Sequence, residues 1–185
     1  MVVMESNFNL QMDKMSNKHK ITLTVQEHID KYIGDRNNII MRSNWERDFF
    51  EKLLRNPKVK EVCSEGIAIR YFFPQTKTYH NYFPDFYFEM EMSGGNIEKF
   101  IVEVKPFSQT QKPPPPKTRR KNSVFKYQRE MFVYAKNLAK WEACINYCKK
   151  KGFTFLFLTE LTKNGKIVGY KLWEWNQIGL PIKLS

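Results

Sequence analysis

The sequence predicts an α+β domain, a mixed central β-sheet flanked by helices in an α/β/α arrangement, and three observations carry that prediction. A short amphipathic helix pattern near residues 43–55 precedes a run of extended, aromatic and β-branched segments. A long helical stripe follows, ending near Lys151. After it comes the apolar segment Phe153–Leu158, which suits the middle of a sheet covered on both faces. The 185 residues leave room for one sizeable core. Residues 1–30, rich in Asn, Met, Lys and Ser and without sustained periodicity, read as a flexible N-terminal arm. Within it only 21–25 alternates as a short strand would. Residues 31–185 read as one domain.

The elements follow in order. Ser43 is an N-cap with Glu46 three residues on, the capping-box spacing, and opens a helix to about Arg55. Its apolar stripe is Trp45, Phe49, Phe50, Leu53 and Leu54, and Asn56-Pro57 stops it. From Val59 to Met92 the pattern changes to short extended pieces, among them Ile67–Phe73 and Tyr82–Phe88. Residues 93–96, Ser-Gly-Gly-Asn, form a turn into a strand over Lys99–Lys105 that Pro106 closes. Residues 109–121 hold four consecutive prolines and then Lys117-Thr118-Arg119-Arg120-Lys121, and read as an extended, basic, solvent-facing loop. Asn122 or Ser123 opens the long helix, whose stripe runs Tyr127, Met131, Tyr134, Leu138, Trp141, Ile145 and Cys148, and Gly152 ends it. Lys163-Asn164-Gly165-Lys166 is a hairpin turn leading to a last strand over Ile167–Trp175.

Composition narrows the classes. With 42% apolar and 15% aromatic residues the chain departs from a disordered basic tail. No apolar run approaches a membrane span, and the N-terminus lacks a secretion-signal layout, so a soluble, intracellular protein with no membrane partner is expected. Three cysteines, Cys63, Cys144 and Cys148, favour neither a disulfide framework nor a zinc ribbon. Thirty-one Lys and Arg against 19 Asp and Glu give a net charge of +12, which suits a polyanionic partner.

The chemistry concentrates in the hairpin from Pro84 to Lys105. On its first arm Phe86, Phe88, Met90 and Met92 alternate with Asp85, Tyr87, Glu89 and Glu91. On the second, Phe100, Val102 and Val104 alternate with Ile101, Glu103 and Lys105. If the apolar sets share the buried face, Asp85, Glu103 and Lys105 share the opposite one. Asp85 and Glu103 are equidistant from Gly94, inside the turn, so they should sit nearly across from each other. Two close carboxylates repel unless a cation lies between them or one takes up a proton. Their hard oxygens select Mg2+, with Mn2+ able to substitute. Such an ion lowers the pKa of a bound water that attacks a phosphodiester, while Lys105 orients or deprotonates that water or stabilises the transition state.

Pro84-Asp85 followed by Glu103-Val104-Lys105 resembles the PD-(D/E)XK nuclease motif. The resemblance implies a restriction-endonuclease-like core. It implies catalytic roles for Asp85, Glu103, Lys105 and the upstream acid Glu46, and metal ligation by Asp85 and Glu103 with Glu46 and then Glu65 as further candidates. Gln128 and Tyr134 fall where related nucleases carry residues that touch the site or DNA. The chain from about residue 31 onward also resembles the head-completion nucleases of T-even type tailed phages. The segments are Lys31–Gly34, Arg42–Glu46, Tyr82–Phe86, Val102–Pro106, Lys140–Ala143 and Leu172–Trp175. That resemblance implies action on double-stranded DNA in head completion and head–tail joining, in the host cytoplasm, with head, neck or portal proteins as partners. TnsA-type transposon endonuclease subunits share similar strings, but usually have Gln where this chain has Glu103.

Lys112, Lys117, Arg119, Arg120, Lys121 and Lys126, with no acid among them, fit contacts to DNA phosphates beside the site, and Gln128 joins them as a weaker DNA contact. The competing reading, from another class, is a basic DNA-binding or head-joining structural protein without catalysis.

Overall fold

In the computed structural model the described residues are 27–36 and 39–181, so the 21–25 strand and most of the expected arm lie outside the described residues. The end of that arm is anchored. Ile29–Lys31 form a 3-10 turn, Tyr32 bridges to Val62, and the Lys31 ammonium donates to the carbonyls of Leu54 and Asn56 at 2.9 Å each.

Helix α1 (Asn44–Arg55) begins where the capping residues place it, with the Ser43 hydroxyl accepting the Glu46 N–H at 3.2 Å. Strand β1 (Val59–Ser64) follows, then a hairpin of β2 (Ile69–Phe73) and β3 (Thr78–Tyr82), then β4 (Phe86–Glu91) and β5 (Ile97–Val104). A single helical turn, α2 (Phe107–Thr110), and the basic segment lead to α3 (Lys121–Lys151), which Gly152 ends in the left-handed conformation at φ 70°. Strands β6 (Thr154–Lys163) and β7 (Lys166–Glu174) complete the chain. Asn164 and Gly165, at φ 51° and 72°, form the turn between them.

The main sheet has the order β1-β4-β5-β6-β7. All neighbours are antiparallel except β5 and β6, which run parallel because α3 carries the chain back across the sheet. The β4–β5 register runs from Phe86 opposite Val102 to Glu91 opposite Ile97, the symmetry about Gly94 that the Asp85–Glu103 spacing predicts. The odd loop closes with Gly95 at φ 81° and a Met92 N–H to Asn96 carbonyl bond of 2.8 Å.

One face of the sheet packs Phe86, Phe88, Phe100, Val102, Val104, Leu156 and Leu158 under the α1 residues Phe49, Phe50, Leu53 and Leu54. The other packs Tyr87, Ile101, Phe155 and Phe157 under the α3 residues Trp141, Cys144, Ile145 and Cys148. No described helix is long and apolar enough to cross a membrane.

Four details correct the sequence reading. Tyr82–Phe88 is not one strand: Pro84, which lacks an N–H for the ladder, separates β3 from β4, and β2–β3 forms its own two-stranded sheet. The face carrying Glu103 is not open, because α3 covers it and Glu103 is only 4% exposed. The long stripe of α3 buries from Tyr134 onward, while Phe125, Phe132 and Val133 are exposed near its start. The basic segment is shorter than 109–121. Its ends belong to α2 and α3, and Gln111 ties it to the Ile178 carbonyl at 3.2 Å.

Candidate active site

The site forms where the chain crosses from β3 into β4 and where β5 ends. Asp85 occupies the last position before β4, held by its backbone carbonyl, which accepts the Glu65 N–H at 3.1 Å. Its side-chain Oδ2 accepts the Val104 N–H at 2.7 Å, which fixes the carboxyl against the end of β5. Burial and then the charge of Glu103 push its pKa up to about 8. The Val104 N–H and Lys105 oppose that rise, and Glu46 adds to it.

Glu103 is the buried centre. Its Oε2 accepts the Tyr82 hydroxyl at 2.6 Å and its Oε1 pairs with the Lys105 ammonium at 3.1 Å. Burial of Lys105 disfavours its charge. Glu103 and Asp85 more than offset that, so its pKa rises above the ordinary lysine value and the ammonium stays protonated. The Lys105 N–H donates to the Leu158 carbonyl at 3.0 Å, so the backbone of the site is continuous with the central parallel pair. Asp85, Glu103 and Lys105 therefore meet, as the alternation predicts.

Glu46 and Glu65 approach from the other side. The buried Glu46 carboxylate accepts the Arg42 N–H at 2.6 Å and the Ser43 hydroxyl at 2.8 Å, so it caps α1 while its charge still reaches Asp85 and Lys105. Glu65, at φ 47°, is forked to the Arg42 guanidinium at 2.7 and 3.1 Å, which neutralises it. Among the described residues no three His, Cys, Asp or Glu side chains gather tightly enough to form a ready ligand cluster. The donor chemistry still fits a hard divalent cation. Asp85 and Glu103 offer oxygen donors, and a cation bound there would offset the burial and the Glu103 charge that raise the pKa of Asp85.

The proposed DNA contacts Lys112, Lys117, Arg119, Arg120, Lys121 and Lys126 are all exposed, as is Gln128 on α3. Lys126 approaches Glu130 at 3.8 Å. From Lys105 through Arg129 the chain has no acidic residue. The proline segment leans on α3 around a cavity of about 410 Å³ lined by Gln111, Pro113, Pro114, Arg129 and Tyr134. Tyr134 itself is buried and packs. His80 is exposed, with Nε2 2.8 Å from the Thr78 hydroxyl. Trp173 packs at the sheet edge with its N–H on the Thr159 hydroxyl at 2.9 Å.

Two residues escaped the sequence reading. Tyr82, which holds Glu103, stands three positions before Asp85, and its 3% exposure contrasts with the exposed Thr78–Asn81 of the same strand. Lys140 of α3 lies with its ammonium 5.5 Å from the Tyr82 ring centroid. Neither could be placed without the crossing of β3 and α3 over the end of β5.

A family model described as the TnsA-like endonuclease N-terminal domain matches residues 56–160, a span that holds Glu65, Tyr82, Asp85, Glu103, Lys105 and Lys140 and leaves Glu46 outside. The head completion nuclease of Enterobacteria phage T4 is 35% identical over 136 residues, covering 74% of this chain and 88% of that protein. No solved structure matches the chain. The two resemblances read from the sequence thus meet on one stretch of chain, which belongs to the TnsA-like endonuclease N-terminal family.

Proposed function

We propose that this protein is a divalent-metal-dependent deoxyribonuclease that hydrolyses phosphodiester bonds of double-stranded DNA during phage head completion. The observation that carries the reading is the meeting of half-buried Asp85 and buried Glu103, with Lys105 at 3.1 Å from Glu103. The similarity to a head completion nuclease supports the biological setting: assembly in the host cytoplasm, with head, neck or portal proteins as partners. Asp85 and Glu103 would hold the ion, Mg2+ or Mn2+, with Glu46 as the nearest further carboxylate. Bound there, it would supply Lewis-acid charge neutralisation and a more acidic water.

The chain's own groups do the rest. Tyr82 fixes Glu103 by donating to Oε2, which leaves Oε1 turned to Lys105. Lys105 stays charged at neutral pH, so its ammonium orients the attacking water and stabilises negative charge growing on the phosphoryl oxygens. The Val104 N–H holds Asp85 in place throughout. The exposed cations from Lys112 to Lys126 track the DNA backbone and carry no sequence information.

Nicking of supercoiled plasmid by the full chain, in Mg2+, in Mn2+ and in EDTA, tests the reading. Cutting is expected with either ion and not in EDTA, and Asp85→Ala and Glu103→Ala should abolish it. Variants that cut as well as the parent would show that the site is misassigned. A thermal melt adds an independent readout. Nearly saturating Mn2+ should raise the stability of the parent by a few kcal/mol, as selective binding to the folded state requires, and leave Asp85→Ala unmoved.

A further inference from the structure

Lys140 has no partner of its own in the site it adjoins. It is half-buried on α3, and among the described residues its ammonium makes no hydrogen bond or ion pair. The ammonium lies 5.5 Å from the centroid of the Tyr82 ring. The same ring carries the hydroxyl that holds Glu103, so Lys140, Tyr82, Glu103 and Lys105 form one connected row. One helical turn earlier stands Lys136, a like charge at the i, i+4 spacing that disfavours a helix by itself. Between Glu130 and Glu142 the helix has no acid to offset the pair. Arg129 continues the same face at heptad spacing and leads toward the basic segment at 117–121.

The local charge balance is therefore one-sided. Lys140 feels Lys105 and Lys136 as like charges and Glu103 and Asp85 as opposite ones. Burial lowers the pKa of Lys140, and the two carboxylates oppose that. Glu103 is already paired with Lys105, and a cation held between the carboxylates would consume what negative charge remains. The two partly exposed helix lysines thus offer positive charge to an anion from outside, and the nuclease reading supplies one at that place.

We infer that Lys140 contacts a DNA phosphate at the mouth of the catalytic pocket, with Lys136 one turn back contacting the next along the backbone. The inference rests on the nuclease reading and deepens it. The DNA would cross the face of α3 that carries Arg129, Lys136 and Lys140, rather than follow the loop at 112–121 alone. Tyr82 then has two tasks: it fixes Glu103 with its hydroxyl and seats Lys140 with its ring.

The test is fluorescence anisotropy with a double-stranded DNA oligomer in EDTA, where nothing is cut, over a series of NaCl concentrations. The parent, Lys140→Met, Lys140→Arg and Lys136→Met are compared, with Lys149→Met at the far end of the helix as a control. Methionine keeps the stem that packs beside Tyr82, so folding is preserved, and melting curves check this. Lys140→Met should weaken binding about tenfold whatever the DNA sequence and lower the salt slope by about one, the signature of a lost phosphate contact. Lys140→Arg and the control should keep the parental slope. If the parent binds and Lys140→Met keeps both affinity and slope, or Lys140→Arg loses as much as Lys140→Met, the inference is overturned and the nuclease reading stands. If the parent neither binds DNA nor nicks plasmid with Mn2+, both are overturned together.

Discussion

The two faces of the β4–β5 hairpin are built from the same ten-odd residues and have opposite chemistry. Toward α1, the side chains are Phe86, Phe88, Phe100, Val102 and Val104, with no polar group among them. Toward α3, Tyr87 and Ile101 give way at the strand end to Asp85, Glu103 and Lys105. Because successive side chains alternate, each strand contributes to both faces at once, and rigidity gained on one side positions groups on the other. A site that must hold repelling carboxylates in place gains from being backed by a dry, close-packed layer.

The comparison is broken most sharply by paired substitutions. Glu103→Gln should reduce cutting by about a thousandfold or more, since it removes a charge that the transition state and its cation need. Its cost in stability should stay small beside that of a core substitution, because the amide keeps acceptor oxygen for Tyr82 and relief of Asp85 offsets part of the lost ion pair with Lys105. Phe86→Ala on the opposite face should act chiefly on stability. The lost ring leaves a cavity that costs about 3–5 kcal/mol, and any residual activity should follow the folded fraction. Equal stability losses in the two variants, measured by urea unfolding, would show that the faces are not separated in function.

Next in size is the response to pH without metal. The pKa of Asp85, pushed up to about 8, lies above its value in an unfolded chain. The folded protein therefore keeps a proton that the unfolded chain gives up. The resulting stability is present in full below about pH 4 and is lost as the pH rises toward 8. Asp85→Asn cannot titrate, so its melting temperature should gain on the parent steadily from pH 5 to pH 8. Saturating Mn2+ should flatten the parental curve, since the cation takes the place of the proton. Parallel curves for parent and variant would mean that Asp85 is ionised and relaxed without metal.

Much of this was legible in the sequence, and for identifiable reasons. The Ser43–Glu46 spacing marked the start of α1, the Asn164-Gly165 pair marked the last hairpin, and symmetry about Gly94 set the register that opposes Asp85 to Glu103. Each is a local rule, readable within a few residues. What was not legible depends on elements far apart in the chain. Pro84 was visible, but not that β2 and β3 leave the main sheet to pack on α3 through contacts such as Phe73 on Phe132. Consequently the burial of Glu103 under α3, its hydroxyl partner Tyr82 and the placement of Lys140 could not be foreseen from alternation alone.

The smallest expected effects concern Glu46, where the two faces meet. Its carboxylate serves the helix through the Arg42 N–H and the Ser43 hydroxyl, yet its charge reaches Asp85 and Lys105. Removing the cap alone isolates the first role. Ser43→Ala should cost about 1 kcal/mol of stability, as the loss of an N-cap does elsewhere, with the cutting rate per folded molecule unchanged. Glu46→Gln keeps an acceptor oxygen for the Arg42 N–H but loses the charge. If Glu46 serves the site, this variant should melt close to Ser43→Ala and cut about tenfold more slowly. Were the two variants to cut alike, Glu46 would be a helix cap only, and the pocket would rest on Asp85 and Glu103. The hairpin would then separate its tasks, with the α1 side purely structural and every charge that cuts on the α3 side, beside the core that α3 covers.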